Sequence, residues 1–191
     1  MGAATAVARA PQRILIVSDA WHPQVNGVVR TMSIVVDELR ALGDTVEVIG
    51  PDRFVSIPTP GYAEIRLALA PARKLRRLAD AFAPETVHIA TEGPLGWAMR
   101  GICGRRGWSF TAAFHTRFPE YLHARTRIPT AWSLAVMRRF HQAGDGTFCA
   151  TPSLARELAA QGFTRVVPWS RGVDLARFHP SAAGRGAAEP W

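Results

Sequence analysis

The sequence predicts an α/β fold built on a doubly wound parallel sheet. Short, continuous apolar runs rich in Val and Ile recur along the chain, as suits strands buried on both faces. Segments with apolar residues at helical spacing separate those runs, and such alternation requires crossover connections. Polar loops carrying Gly, Pro, Asn or His stand directly after the runs, where sheets of this kind hold their ligands.

The elements follow in order. Arg13–Ser18 is the first apolar run, and Asp19–Gly27 the polar loop behind it. From Val28 a helix buries Val28, Met32, Val35, Val36, Leu39 and Leu42, which step by three and four, until Gly43 stops it. Thr45–Ile49 is a second strand, closed by Gly50-Pro51. Residues 51–61 are a Pro-rich loop, and Tyr62–Leu67 is a weaker third strand. A basic helix runs from Pro71 to Phe82, with Leu75, Leu78, Ala79 and Phe82 on its buried side, and ends before Pro84. Thr86–Ala90 is a fourth strand, then the loop Thr91-Glu92-Gly93-Pro94 and a helix to about Arg105. Phe110–Phe114 is a fifth strand ending at His115. Residues 129–142 are helical, and Thr147–Ala150 is a sixth strand. Thr151 caps a helix that runs to Gln161 and stops at Gly162, and Arg165–Trp169 is a seventh strand.

The 191 residues, 48% hydrophobic and 20% charged, suffice for one domain with an ordinary core and exclude wholesale disorder. No run nears the roughly 18 apolar residues of a membrane span, and Met1–Arg13 lacks the apolar centre of a signal peptide. Cys103 and Cys149 supply neither a disulfide framework nor metal-ligand spacing, so a cytoplasmic setting and no metal are expected. The net charge is +8, and Lys74 is the only lysine among 23 basic side chains. That balance favours anionic partners.

Four segments carry candidate chemistry. Gly27 has no Cβ to keep a ligand away from the backbone, and the N–H groups of Val28 to Thr31 open a helix whose N-terminus favours phosphate. His115 ends a buried strand on the ligand side of the sheet. Glu92 and Gly93 stand at a second helix entry, and Arg117 and Tyr121 lie in a polar stretch after His115. Each also has a plain alternative: a turn glycine, a satisfied core histidine, a capped helix entry, a surface connector. The run Arg73, Lys74, Arg76 and Arg77 is either a solvated helix face or a contact for an anionic membrane. No nucleic-acid module, P-loop, Gly-x-Ser-x-Gly elbow or GxGxxG fingerprint is present, so nucleic acid, NTP hydrolysis, ester hydrolysis and nicotinamide chemistry recede.

Several stretches together resemble the amino-terminal half of family 4 glycosyltransferases, which have the two-domain GT-B fold. They are Ser18–Thr31 (SDAWHPQVNGVVRT), Val87–Gly96 (VHIATEGPLG), Phe114–Tyr121 (FHTRFPEY) and Ser170–Pro180 (SRGVDLARFHP). In this order they cover about residues 13–180, and the likeness extends to bacterial α-mannosyltransferases that use GDP-mannose. The resemblance implies a Rossmann-like acceptor-side domain over 13–171, a flexible leader over 1–12, and a hinge remnant with a disordered tail over 172–191. It also implies a retaining transfer of a hexose, with mannose favoured, from a nucleotide-sugar to a lipid or glycan acceptor, with no cofactor. The resemblance puts His115 beside the donor sugar, and Asn26, Gly27 and Val28 near the donor phosphates. Asp19 falls on the acceptor side with Glu92, Gly93, Arg117 and Tyr121. Arg171, Gly172 and Asp174 fall on the hinge. The carboxy-terminal donor-binding domain of the family has no counterpart in the sequence, so transfer is expected only when that half is supplied. The rival expectation is a non-catalytic module that binds a glycan or an anionic membrane at the inner face.

Overall fold

The computed structural model describes residues 9–59, 62–69, 71–115, 129–170 and 172. Its elements are β1 Arg13–Val17, α1 Gly27–Ala41, β2 Thr45–Ile49, a single 3-10 turn Pro51–Arg53, β3 Ser56–Thr59, β4 Tyr62–Ala68 and α2 Ala72–Phe82. They continue with β5 Thr86–Ile89, α3 Pro94–Arg106, β6 Phe110–Phe114, α4 Thr130–His141, β7 Gly146–Cys149, α5 Pro152–Ala160 and β8 Val166–Pro168.

Six strands form one sheet of order β2-β1-β5-β6-β7-β8, with every neighbour parallel. The chain winds from β1 outward to β2, then returns to the other side of β1 to lay down β5. The strand order therefore reverses between β1 and β5, and the crevice of a doubly wound sheet opens at such a reversal, outside the carboxyl ends of the strands. Here those ends are Ser18-Asp19 and Ala90-Thr91.

Side chains alternate across the sheet and sort into two apolar layers. Leu15 and Val17 of β1 pack with Leu75 and Ala79 of α2, Leu95, Met99 and Ile102 of α3, and Phe140 of α4. Ile14 and Ile16 of the same strand pack with Met32 and Val36 of α1. Phe114, Met137, Cys149, Leu158 and Phe163 extend the first layer beneath α4 and α5. Leu15, Ile16, Ile49, Leu75 and Ile89 are essentially sealed from water. Each such side chain contributes about 1.5–3 kcal/mol by leaving solvent.

Two expectations are corrected here. The stretch read as a Pro-rich loop and a weaker third strand of the parallel sheet is an antiparallel hairpin, β3 with β4, forming a sheet of its own. Pro58 concealed it, because proline gives the ladder no N–H and argues against a strand. Residues 9–12, expected within a flexible leader, are tied down. Arg9 pairs with the Asp44 carboxylate, the Gln12 amide donates to Asp44 Oδ1 at 2.9 Å, and Thr45 N–H donates to the Gln12 carbonyl at 2.9 Å. Pairing of β1 with β2 brings these distant residues together. Residues 1–8 and 173–191, which hold the rest of the leader and the expected tail, lie outside the described residues.

Candidate functional site at the sheet's switch point

The crevice is built where two loops meet. Asp19 leaves β1, and its amide donates to Thr91 Oγ1, behind β5, at 2.6 Å. The Thr91 hydroxyl donates back to Asp19 Oδ2 at 3.0 Å. The Asp19 carboxylate then accepts the backbone N–H of Leu95 at 2.9 Å and of Gly96 at 3.3 Å. These are first-turn amides of α3, whose own N-cap, Gly93, has no side chain to offer them. One strand's carboxylate thus caps the helix that follows another strand. Burial pushes the Asp19 carboxyl upward, against the lowering pull of the two amides and the Thr91 hydroxyl.

Asp19, expected on the acceptor side, is 5% exposed with its oxygens turned to α3, so it stitches the two loops of the crevice together. Gly93 follows from it, because a Cβ there would overlap the Asp19 carboxylate. Glu92 is also turned inward. Its Oε1 lies 3.0 Å from Nε2 of His141, and His141 Nδ1 lies 3.3 Å from Thr147 Oγ1. The His141 side chain is 1% exposed and that of Glu92 20%. The trio of Thr, His and Glu invites comparison with a nucleophilic triad, but the Thr147 hydroxyl is sealed from solvent and reaches no substrate.

At the N-terminus of α1 the expectation of free amides is also corrected. Asn26 is the N-cap, and its Oδ1 accepts from both Val28 N–H and Val29 N–H at 3.0 Å. Arg30 N–H donates to the Asn26 carbonyl. What stays open at this terminus is the helix dipole and the exposed backbone at Gly27, not a row of unpaired amides. Gly27 has nothing within 4 Å of where a Cβ would stand, so its surroundings are open. Val28 is half-buried above the α1 layer.

His115 stands at the carboxyl end of β6, half-buried, with its ring 6.3 Å from the indole of Trp169. Trp169 in turn lies 6.4 Å from the ring of His88 and 5.9 Å from Phe148. His88 sits on β5 against Thr111 Oγ1, 2.9 Å from its Nδ1, and its Nε2 has no hydrogen-bond partner. Burial, with a smaller contribution from His115, drives the His88 imidazole down to about 3. Sequence reading gave no role to Trp169, His88, Thr91 and His141. Thr91 alone left a visible signal, its position directly after a strand.

Gly172 is exposed, and Arg117, Tyr121, Arg171 and Asp174 lie outside the described residues. No cluster of three or more metal-ligating side chains occurs among the described residues. Beside the crevice, a groove of about 630 Å³ runs between the loop His22–Val25 and the turn after β2, with Phe54 and Arg66 in its wall.

Comparison with known proteins agrees with this architecture. A family model described as Glycosyltransferase Family 4 matches residues 25–177. The chain is 30% identical to a GDP-mannose-dependent alpha-mannosyltransferase of Mycobacterium tuberculosis (strain CDC 1551 / Oshkosh), over 94% of this chain and 52% of that protein. It is 28% identical to the protein of that name from Mycolicibacterium smegmatis (strain ATCC 700084 / mc(2)155), over 94% and 52%. It is 23% identical to an Alpha-monoglucosyldiacylglycerol synthase of Streptococcus pneumoniae (strain ATCC BAA-255 / R6), over 87% and 42%. The chain spans about half the length of the curated relatives it matches.

Proposed function

Since this chain belongs to glycosyltransferase family 4, we propose that it forms the acceptor-side half of a hexosyltransferase site. The transfer moves mannose from GDP-mannose to a lipid or glycan acceptor with retention at the anomeric carbon. The bond from that carbon to the diphosphate oxygen breaks, and a bond to an acceptor hydroxyl oxygen forms. Nucleoside diphosphate and one proton are released. The donor's remaining contacts come from residues corresponding to the other half of the relatives.

The observation that carries this reading is the switch-point crevice, which brings the open backbone at Gly27 and the imidazole of His115 to the same end of the sheet. In it, Gly27 lets the donor diphosphate approach the α1 dipole, and Asn26 holds that first turn rigid. His115 offers a hydrogen bond to the donor sugar. Pre-set dipoles of this kind favour the developing diphosphate charge.

The acceptor side faces an anionic membrane. Arg73, Arg76 and Arg77 are exposed on α2. Lys74 is held locally, donating to the Arg53 carbonyl and lying 5.4 Å from the centre of the Phe54 ring. The neighbouring hairpin exposes Val55, Ile57 and Leu69. Basic side chains beside apolar ones suit a lipid headgroup layer. No helix among the described residues is long and apolar enough to cross a membrane.

The test joins residues 1–180 to the second half of the M. tuberculosis relative and follows mannose transfer from GDP-mannose to membrane lipid. Transfer is expected, falling by roughly 100-fold in His115→Ala, as for other lost site donors. Unchanged turnover in that variant removes His115 from the site, and no transfer under any acceptor overturns the reading.

A further inference from the structure

We propose that Trp169 is a positioning residue of His115, its indole setting the orientation of the imidazole. The inference rests on His115 having the role given above. Trp169 N–H donates to the Cys149 carbonyl, which continues the β7–β8 ladder one residue beyond β8. Its indole lies over the α1 face of the sheet with the layer of Ile14, Ile16 and Ala90. There it contacts Phe148 and two imidazoles, His88 beneath and His115 at the rim. These spacings fall within the range of tilted and edge-on aromatic pairs.

A cover for a sheet face does not require this arrangement. An aliphatic residue at 88 would bury the same area without leaving a nitrogen unsatisfied, and a buried orphan nitrogen costs free energy. The imidazole is instead fixed by Thr111 and stacked on Phe148, with ring centres 5.8 Å apart. It stays neutral and places no charge below His115. The result is a rigid, uncharged shelf on which the indole sits, and the indole flanks the ring of His115.

The test has a structural arm and a kinetic arm. In the unaltered 191-residue chain, NMR should show contacts between the His115 ring protons and the Trp169 indole. Absence of those contacts overturns the proposal whatever any variant does. Trp169→Ala should return the His115 ring resonances toward free-histidine values, and Trp169→Phe should keep them near their original positions. An unmoved His115 in a folded Trp169→Ala protein also overturns it. In the transfer-competent assembly, Trp169→Ala should lower kcat by about 10- to 100-fold with a much smaller change in donor KM. The double variant with His115→Ala should be no slower than His115→Ala alone, because the indole acts only through that ring. Losses that multiply would mean that Trp169 acts elsewhere. If His115→Ala leaves turnover intact while the ring contacts persist, the functional reading fails and the contact stands.

Discussion

Asp19 and His88 are buried titratable groups with opposite consequences for stability. Asp19 caps α3, and Asp19→Asn can accept only one of the two first-turn amides and presents a misplaced NH2 group to the other. A loss of about 1–2 kcal/mol is expected from urea unfolding at pH 7. Burial raises the folded carboxyl above its unfolded value near 3.9, so the native state holds the proton longer and stability falls as pH rises through that window. The gap between native chain and Asp19→Asn should therefore be wider at pH 4 than at pH 7. His88 runs the other way. Its folded value of about 3 lies below the unfolded 6.5, so the unfolded chain binds the extra proton. Stability is full above about pH 6.5 and is lost as pH falls toward 3. In His88→Phe the urea midpoint should decline less steeply over that range, and equal slopes would contradict the account.

At the scale of elements, α1 and α3 begin by different means. The first helix has a local cap, Asn26, and the residue after it stands in open space. Gly27→Ala should leave stability unchanged or raise it by about 0.5–1 kcal/mol, since alanine favours the helix. If Gly27 admits the donor, the same change should weaken nucleotide-sugar binding in the transfer-competent assembly. Calorimetry and thermal unfolding on one variant thus separate the ligand role from the structural one. The third helix has no local cap and lies so close to β5 that a Cβ on Gly96 would overlap the Thr91 carbonyl. Gly96→Ala should cost about 2 kcal/mol or more, because backbone rather than a flexible side chain stands in the way. A thermal midpoint unchanged within a degree would show that the two segments can part without penalty.

For the whole molecule, the surplus of positive charge and the exposed apolar hairpin lead to one expectation. The chain should float with anionic vesicles at low salt and release at high salt. Changing Arg73, Arg76 and Arg77 together to Gln should weaken that association by roughly 100-fold, at about 1 kcal/mol for each charge near the surface. Flotation unaffected by salt and by the triple change would assign binding to the apolar residues alone.

The alternation of apolar runs and helical segments settled the α/β class, the parallel sheet and the ends of most elements, because burial and backbone geometry act over neighbouring residues. The strand Phe110–Phe114 was legible to the residue, and so was the end of α2, where Ala83 turns left-handed before Pro84. Motif order pointed to the family, which the match over residues 25–177 bears out. What lay beyond the sequence was pairing at long range. The hairpin depended on which strand Tyr62–Ala68 would join, and proline hid its partner. Asp19 stood in the sequence only as part of a polar loop on the acceptor side, yet it meets amides 76 and 77 positions later. Glu92 looked like a rim carboxylate until His141, 49 positions on, claimed it. Trp169 had no local signal at all. Most buried polar groups are satisfied by whichever partner the sheet order brings into hydrogen-bond range, and local sequence does not carry sheet order.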